Sequence, residues 1–178
     1  MLQVLTADNP SPLTGPGTNT FVLGQRDFAV IDPGPDDRRH RAAIMAATAA
    51  GRVTAILVTH PHRDHSEGAA ALSAATGAPV IGFPPPPAGR SPVMQRIAAQ
   101  GLAGGGEGLD AGYAPDRVIG EGAVIEGEGW AVEALWTPGH FGGHLAFRWE
   151  DTLFCGDLIL GWASTLISPP DGDLTDYM

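Results

Sequence analysis

From residue 59 to residue 65 the chain reads Thr-His-Pro-His-Arg-Asp-His, placing three imidazoles and a carboxylate within six consecutive residues. In extended backbone, residues two apart point the same way. His60 and His62 can therefore grip one cation, while Asp64 and His65 turn toward a second. Neutral imidazole suits zinc or iron, and an added carboxylate suits a harder divalent ion such as manganese. A lone histidine is usually a surface or core residue. Four ligand-type side chains in this order are a metal motif.

Such a loop needs rigid elements on either side. Residues 53–58 are short, apolar and β-branched, as a buried strand should be, and the Ala-rich run 67–75 reads as a helix. The cluster then sits at the C-terminal end of a strand, where open α/β sheets place their sites. Two further strand-end loops carry ligand-type residues. Residues 130–136 lead into Thr137-Pro138-Gly139-His140, and residues 152–155, with Cys155 as a buried strand residue, precede Gly156-Asp157. Gly139, Gly142 and Gly143 permit close backbone approach and positive φ.

The remaining pattern alternates strands with turns. Residues 20–23 and 28–31 read as a hairpin ended by Asp32-Pro33-Gly34. Asp36 or Asp37 caps a helix running to about residue 50, whose Arg38, Arg39, His40 and Arg41 form a solvated face, leaving His40 no ligand role. Strands follow at 78–81, 118–119, 123–125 and 144–149. Residues 1–18 read as loop. Residues 83–116 exceed normal loop lengths and read as an insertion, a lid or a binding edge. Within them, Pro84 to Pro87 are expected to be extended and stiff, 91–101 a short helix, and Gly104-Gly105-Gly106-Glu107-Gly108 flexible. Asp173 reads as the N-cap of a last helix.

The run Thr59-His60-Pro61-His62-Arg63-Asp64-His65-Ser66-Glu67-Gly68 resembles the HxHxDH signature of the metallo-β-lactamase fold superfamily. Thr137-Pro138-Gly139-His140 and Gly156-Asp157 resemble its next two ligand motifs, in the same order. Residues 137–147 and 155–178 are similar to the lactamase-like beta-2 branch, and the likeness starts at Gly15-Pro16-Gly17-Thr18-Asn19-Thr20. The resemblance implies an α/β fold, an αββα sandwich formed by one domain over residues 1–178. It implies one cation on His60, His62 and His140, with an open position for water, and a second on Asp64, His65 and a bridging Asp157. Asp32 becomes a carboxylate supporting the metal loop, against the alternative of a turn residue capping local amides. His144 becomes a supporting or substrate-contacting imidazole, against that of a half-buried strand residue bonded to a carbonyl. The family's last ligand to the second metal is a downstream His. No His follows His144 in these 178 residues, so the fold is expected to be incomplete at its C-terminus.

The implied activity is metal-dependent hydrolysis. One or two Zn2+, with Fe or Mn as alternatives, activate water, and Asp64 orients the nucleophile or carries its proton. The substrate is an ester, thioester, lactone or phosphodiester. Single-strand-specific RNA cleavage is an alternative, as is a non-catalytic binding or structural role, with a homodimer covering exposed apolar surface. A di-iron redox role is disfavoured, because members of that class carry a Glu where this chain has His62. Trp130, Trp136, Trp149 and Trp162 could stack bases, but strand packing explains them as readily.

Composition narrows the classes. Hydrophobic content of 43% and charged content of 17% are those of a globular chain. A net charge of -10 argues against a broad basic footprint for double-stranded DNA. One cysteine excludes an internal disulfide and fits a reducing cytoplasm. No charged region followed by an apolar core suggests a signal peptide, and no run approaches the ~20 residues that span a bilayer.

Overall fold

Alternation in the strands sets the layers. In the strand Asp27–Ile31, Phe28 and Val30 join one apolar cluster while Ala29 and Ile31 join another. Both faces are buried, so the strand is central. The structure is a computed structural model that describes residues 1–101 and 108–178. Six strands form the first sheet in chain order: β1 (Leu2–Thr6), β2 (Asn19–Gly24), β3 (Asp27–Ile31), β4 (Arg52–Leu57), β5 (Val80–Gly82) and β6 (Arg117–Val118). The pairs β1–β2 and β2–β3 are antiparallel, and the sheet is parallel from β3 to β6. Parallel neighbours need crossovers. Helix α1 (Arg38–Ala47) joins β3 to β4, and α2 (Arg63–Ser66) with α3 (Ala69–Thr76) joins β4 to β5. After α4 (Pro92–Ala99), β7 (Val124–Gly127), β8 (Trp130–Trp136), β9 (Leu145–Trp149) and β10 (Thr152–Phe154) form an antiparallel second sheet. Helix α5 (Leu174–Tyr177) follows.

Leu57, Ile81, Val132, Leu145 and Phe147 pack between the two sheets. Ile44 of α1 and Leu72 of α3 cover the other face of the first sheet with Phe28, Val30 and Ile56. Fully burying one such side chain contributes roughly 1.5–3 kcal/mol. The architecture is the α/β sandwich expected. Its effect is to bring the C-terminal ends of β4, β8 and β10 to one edge.

Several local expectations are corrected. Residues 2–6 form an edge strand, paired with β2 from Leu2↔Leu23 to Thr6↔Asn19. Their weak apolar alternation becomes a strand because β2 offers a free edge. His40 is buried, not solvated: α1 turns it and Ile44, four residues on, toward the sheet. Asp37 is the cap, accepting from the His40 amide at 2.7 Å. The prolines turn rather than extend, with the Ala88 amide bonded to the Pro85 carbonyl. Cys155 lies just past β10 and is half-buried. Helices at Pro92–Ala99 and Leu174–Tyr177 form where expected, with Ser91 and Asp173 as caps. The run 104–107 read as flexible lies outside the described residues.

Candidate metal centre

The loop after β4 is extended only as far as His62. Helix α2 starts at Arg63, so Asp64 and His65 are aimed by a helical turn rather than by extended alternation. The loop is held from three sides. Leu145 at the start of β9 donates to the Thr59 carbonyl, Arg63 donates its amide to Gly108, and Asp110 donates to Pro61. Thus the far end of the 83–116 segment pins the metal loop.

Asp32 lies at the centre of this support. It is buried with φ +50°, an uncommon conformation for a residue with a side chain. One carboxylate oxygen accepts from the Thr59 amide at 2.8 Å; the other accepts from the Thr59 hydroxyl at 2.8 Å and His65 Nδ1 at 2.9 Å. These partners lie 27 and 33 residues away, so the carboxylate does not cap a local turn. Its carbonyl accepts from Thr20 Oγ1, which in turn accepts from His40 Nε2. His40 therefore braces Asp32 from behind.

The network assigns the histidine tautomers. The Thr59 hydroxyl has one proton and gives it to Asp32, so it accepts at 3.0 Å from His60 Nδ1–H. His60 Nε2 is then left with a lone pair. His140 Nδ1 donates to the Leu166 carbonyl at 2.6 Å, which frees His140 Nε2 in the same way. His65 Nδ1 donates to Asp32, which turns its Nε2 toward Asp64 and Asp157. Metal-binding imidazoles are oriented by such partners.

Those free nitrogens converge. His62 Nδ1 lies 2.9 Å from His60 Nε2 and 3.0 Å from His140 Nε2. His60, His62, His140 and Asp157 each offer a donor atom within 4.8 Å of all the others. On the other side, His65 Nε2 lies 3.3 Å from Asp64 Oδ2 and 3.2 Å from Asp157 Oδ1, while Asp157 Oδ2 is 3.8 Å from His140 Nε2. The Asp157 carboxylate thus spans the two groups. Asp64 Oδ2 also accepts from Thr18 Oγ1 at 2.9 Å.

Electrostatics match a cation site. Burial pushes His62 down to about 4, and burial also lowers His60 and His140, so all three rings are neutral at pH 7. Burial works against charge on Asp64 and Asp157, but hydrogen bonds from His65 outweigh it and hold both below the usual carboxylate range. His65 is opposed by burial and raised overall by Asp32, Asp157 and Asp64. Ring nitrogens of neutral imidazoles crowded together, beside ionised carboxylates, are the donor chemistry of a divalent-metal site.

His144 is fully buried and joins none of these donor groups. Its Nδ1 lies 2.8 Å from Thr137 Oγ1, its Nε2 has no partner among the described residues, and burial pushes it down to about 3. It packs against the Asp157 loop: at Gly156, φ +49°, a Cβ would lie 2.7 Å from His144 Nε2 and 2.8 Å from Thr59 Oγ1. Gly139 has the expected positive φ, and Gly142 and Gly143 are tight approaches without one. Sequence reasoning missed Thr18, Thr59 and Thr165. Thr165 donates to the Asp157 carbonyl at 2.6 Å beside His140. Thr18, within Gly15-Pro16-Gly17-Thr18-Asn19-Thr20, carried a usable signal. Of the two readings open for Trp162, strand packing fails: it lies outside every strand, exposed beside the site.

A two-sheet α/β sandwich with strand-end loops converging on a His/Asp cluster defines a class of metal-site proteins. The family model of the metallo-beta-lactamase superfamily matches residues 13–178, and the chain belongs to that superfamily. It is 31% identical over 179 residues to an atrochrysone carboxyl ACP thioesterase of Aspergillus fumigatus, covering 96% of this chain and 47% of that protein. It is 35% identical over 137 residues to a hydroxyacylglutathione hydrolase of Pseudomonas aeruginosa, covering 75% and 43%. The chain thus spans about half the length of these curated relatives. The crystal structure of TTHA1623 in a di-iron-bound form superposes with a TM-score of 0.68 at 26% identity, covering 98% of this chain and 81% of that one. Among the described residues, no helix is long and apolar enough to cross a membrane.

Proposed function

We propose that the chain carries the metal centre of a hydrolase that cleaves thioesters or related esters with activated water. The observation that carries this reading is the convergence of three neutral imidazoles, each lone pair freed or held at the centre, against the Asp157 carboxylate. His60, His62 and His140 would hold one divalent cation, and Asp64, His65 and Asp157 a second. Zinc, iron or manganese suits these donors. When bound, the metal supplies a Lewis acid that makes water nucleophilic near neutral pH.

The chain's own residues supply the rest. Asp32 locks Thr59 and His65, so the loop keeps its shape during turnover. Asp64 is fixed through Oδ2 by Thr18 and His65, while Oδ1 accepts no hydrogen bond among the described residues. An ionised, uncommitted oxygen at the cavity edge can orient water by accepting its hydrogen bond. Ester-type carbonyls are favoured over phosphodiesters because the cleft over the site is walled by Leu13, Leu160, Trp162 and Leu166, with Arg63 its one cationic residue among those described. A reducing cytoplasm agrees with the single cysteine. The test is hydrolysis of a reporter thioester, expected to vanish with chelator and return with zinc, iron or manganese. Hydrolysis indifferent to chelator would exclude the reading.

A further inference from the structure

Two cavities meet at the carboxylate side of the centre. The larger, about 430 Å³, runs over His62 and His140 and is bordered by Arg63. The smaller, about 200 Å³, reaches Asp32 and His65 and is walled by Phe21, Leu153 and Ile159. Asp64 and Asp157 line both, and so do Leu13, Leu160 and Trp162. The two cavities are therefore arms of one cleft that share the reacting position.

Trp162 stands between the arms. Its indole lies flat against Gly15, where a Cβ would sit 3.1 Å from two ring atoms. Gly15 has φ +61°, which a side chain would strain, so the loop keeps a bare surface for the ring. Trp162 is 53% exposed and outside both apolar cores, so its place is explained by the cleft rather than by core packing.

Resting on the reading of this centre as an acyl hydrolase, we infer that Trp162 is a specificity-determining partition: the smaller arm receives the acyl group, and the larger arm receives the thiol or alcohol leaving group. A carbonyl under attack has two substituents, and the cleft has two arms diverging from the groups that would flank that carbon. The smaller arm has a polar floor at Asp32, Asp64, His65 and Asp157, where the carbonyl end would lie, and apolar outer walls of Phe21, Leu153 and Ile159 with no Arg or Lys among the described lining residues, which suits a short hydrocarbon chain. The larger arm has Arg63 at its border, which suits a leaving group that bears an anion. At about 200 Å³, the smaller arm has less than half the room of the larger, at about 430 Å³. Long acyl chains must displace Trp162 or leave the arm.

The test uses the metal-loaded chain, its Trp162→Ala variant and its Trp162→Phe variant. Thioesters of one common thiol, from acetyl to dodecanoyl, are compared by kcat/KM, and linear carboxylates of the same lengths by calorimetric binding. For the wild type, kcat/KM should fall at least tenfold between butanoyl and decanoyl, a difference of about 1.4 kcal/mol. Trp162→Ala should accept decanoyl to within about threefold of butanoyl. Trp162→Phe, which keeps a ring on Gly15, should retain the cut-off. Carboxylate binding should show the same cut-off and the same relief, a result that supports the partition even if no thioester is turned over and the hydrolase reading fails. Flat length dependence in wild-type binding, or a cut-off unchanged in Trp162→Ala, would overturn the inference.

Discussion

The loop carrying His60 to His65 and the segment 158–167 both border the cleft, yet they are built oppositely. The first is anchored by buried groups: His60 and His65 are nearly inaccessible, and Asp32 bonds to both ends of the loop. The second has only a 3-10 turn at its start, and Ile159, Trp162 and Leu166 are each more than half exposed. The difference separates two tasks. Donor atoms must hold position to tenths of an ångström, which a buried network achieves. Cleft walls select by shape and can vary without disturbing the metal loop. The segment 158–167 reaches the other donor residues instead, through the Leu166 carbonyl that orients His140 and the Thr165 hydroxyl that donates to the Asp157 carbonyl.

The sharpest break in this comparison comes from removing a donor. His60→Ala should lose metal and lower hydrolysis by at least about a thousandfold, since the water nucleophile depends on the cation. Metal analysis and turnover on the same sample check this, and retained turnover would dissolve the distinction between the regions. A smaller effect should follow from Asp32→Ala, which touches no proposed donor except through His65. Loss of such a supporting partner typically costs about 10–100-fold in metal affinity. Removing one partner of a buried pair also costs about 3–5 kcal/mol of stability, readable by urea unfolding. Unchanged affinity would show that the loop holds itself.

Protons offer a gentler probe. His62 is pushed down to about 4 and His144 to about 3, both by burial, from an unfolded value of 6.5. As pH falls from 6.5 toward 4, the unfolded chain takes up protons at these positions that the folded chain refuses, so stability falls. His65 acts in reverse, because its folded pKa is raised: its contribution is complete below 6.5 and is lost as pH rises through the folded value. The lowered histidines outnumber it, so the metal-free protein should melt at lower temperature at pH 5 than at pH 7. A higher melting temperature at pH 5 would contradict the burial assigned to the centre. The mildest change should be Leu166→Ala. Its side chain is 57% exposed and its carbonyl remains, so stability should move by less than about 0.5 kcal/mol while KM rises severalfold. A loss of metal would tie the wall to the donors after all.

The same contrast explains what could be read from sequence. His60, His62, Asp64 and His65 are contiguous, and a strand pattern precedes them, so spacing alone suggested a metal loop. His140 and Asp157 follow recognisable strand ends, and family resemblance supplied their roles. What sequence could not show is set by long-range pairing. Thr59 Oγ1 acquires meaning only because Asp32, 27 residues earlier, is its acceptor. His40 looked solvated among arginines, and only the face that α1 buries makes it a brace. Residues 2–6 needed the edge of β2 to become a strand. For Trp162, base stacking and strand packing stayed equally open, because an apolar run does not reveal that the residue lies exposed beside a cleft.

The most direct measurement is metal content per chain by elemental mass spectrometry, on protein purified without chelator, for the wild type and for His140→Ala. One or two equivalents of a divalent transition metal in the wild type, falling to below about a tenth in the folded variant, is the expected result, since one of three converging imidazoles would be gone. A folded wild-type chain that binds no metal when zinc, iron or manganese is supplied would contradict the account.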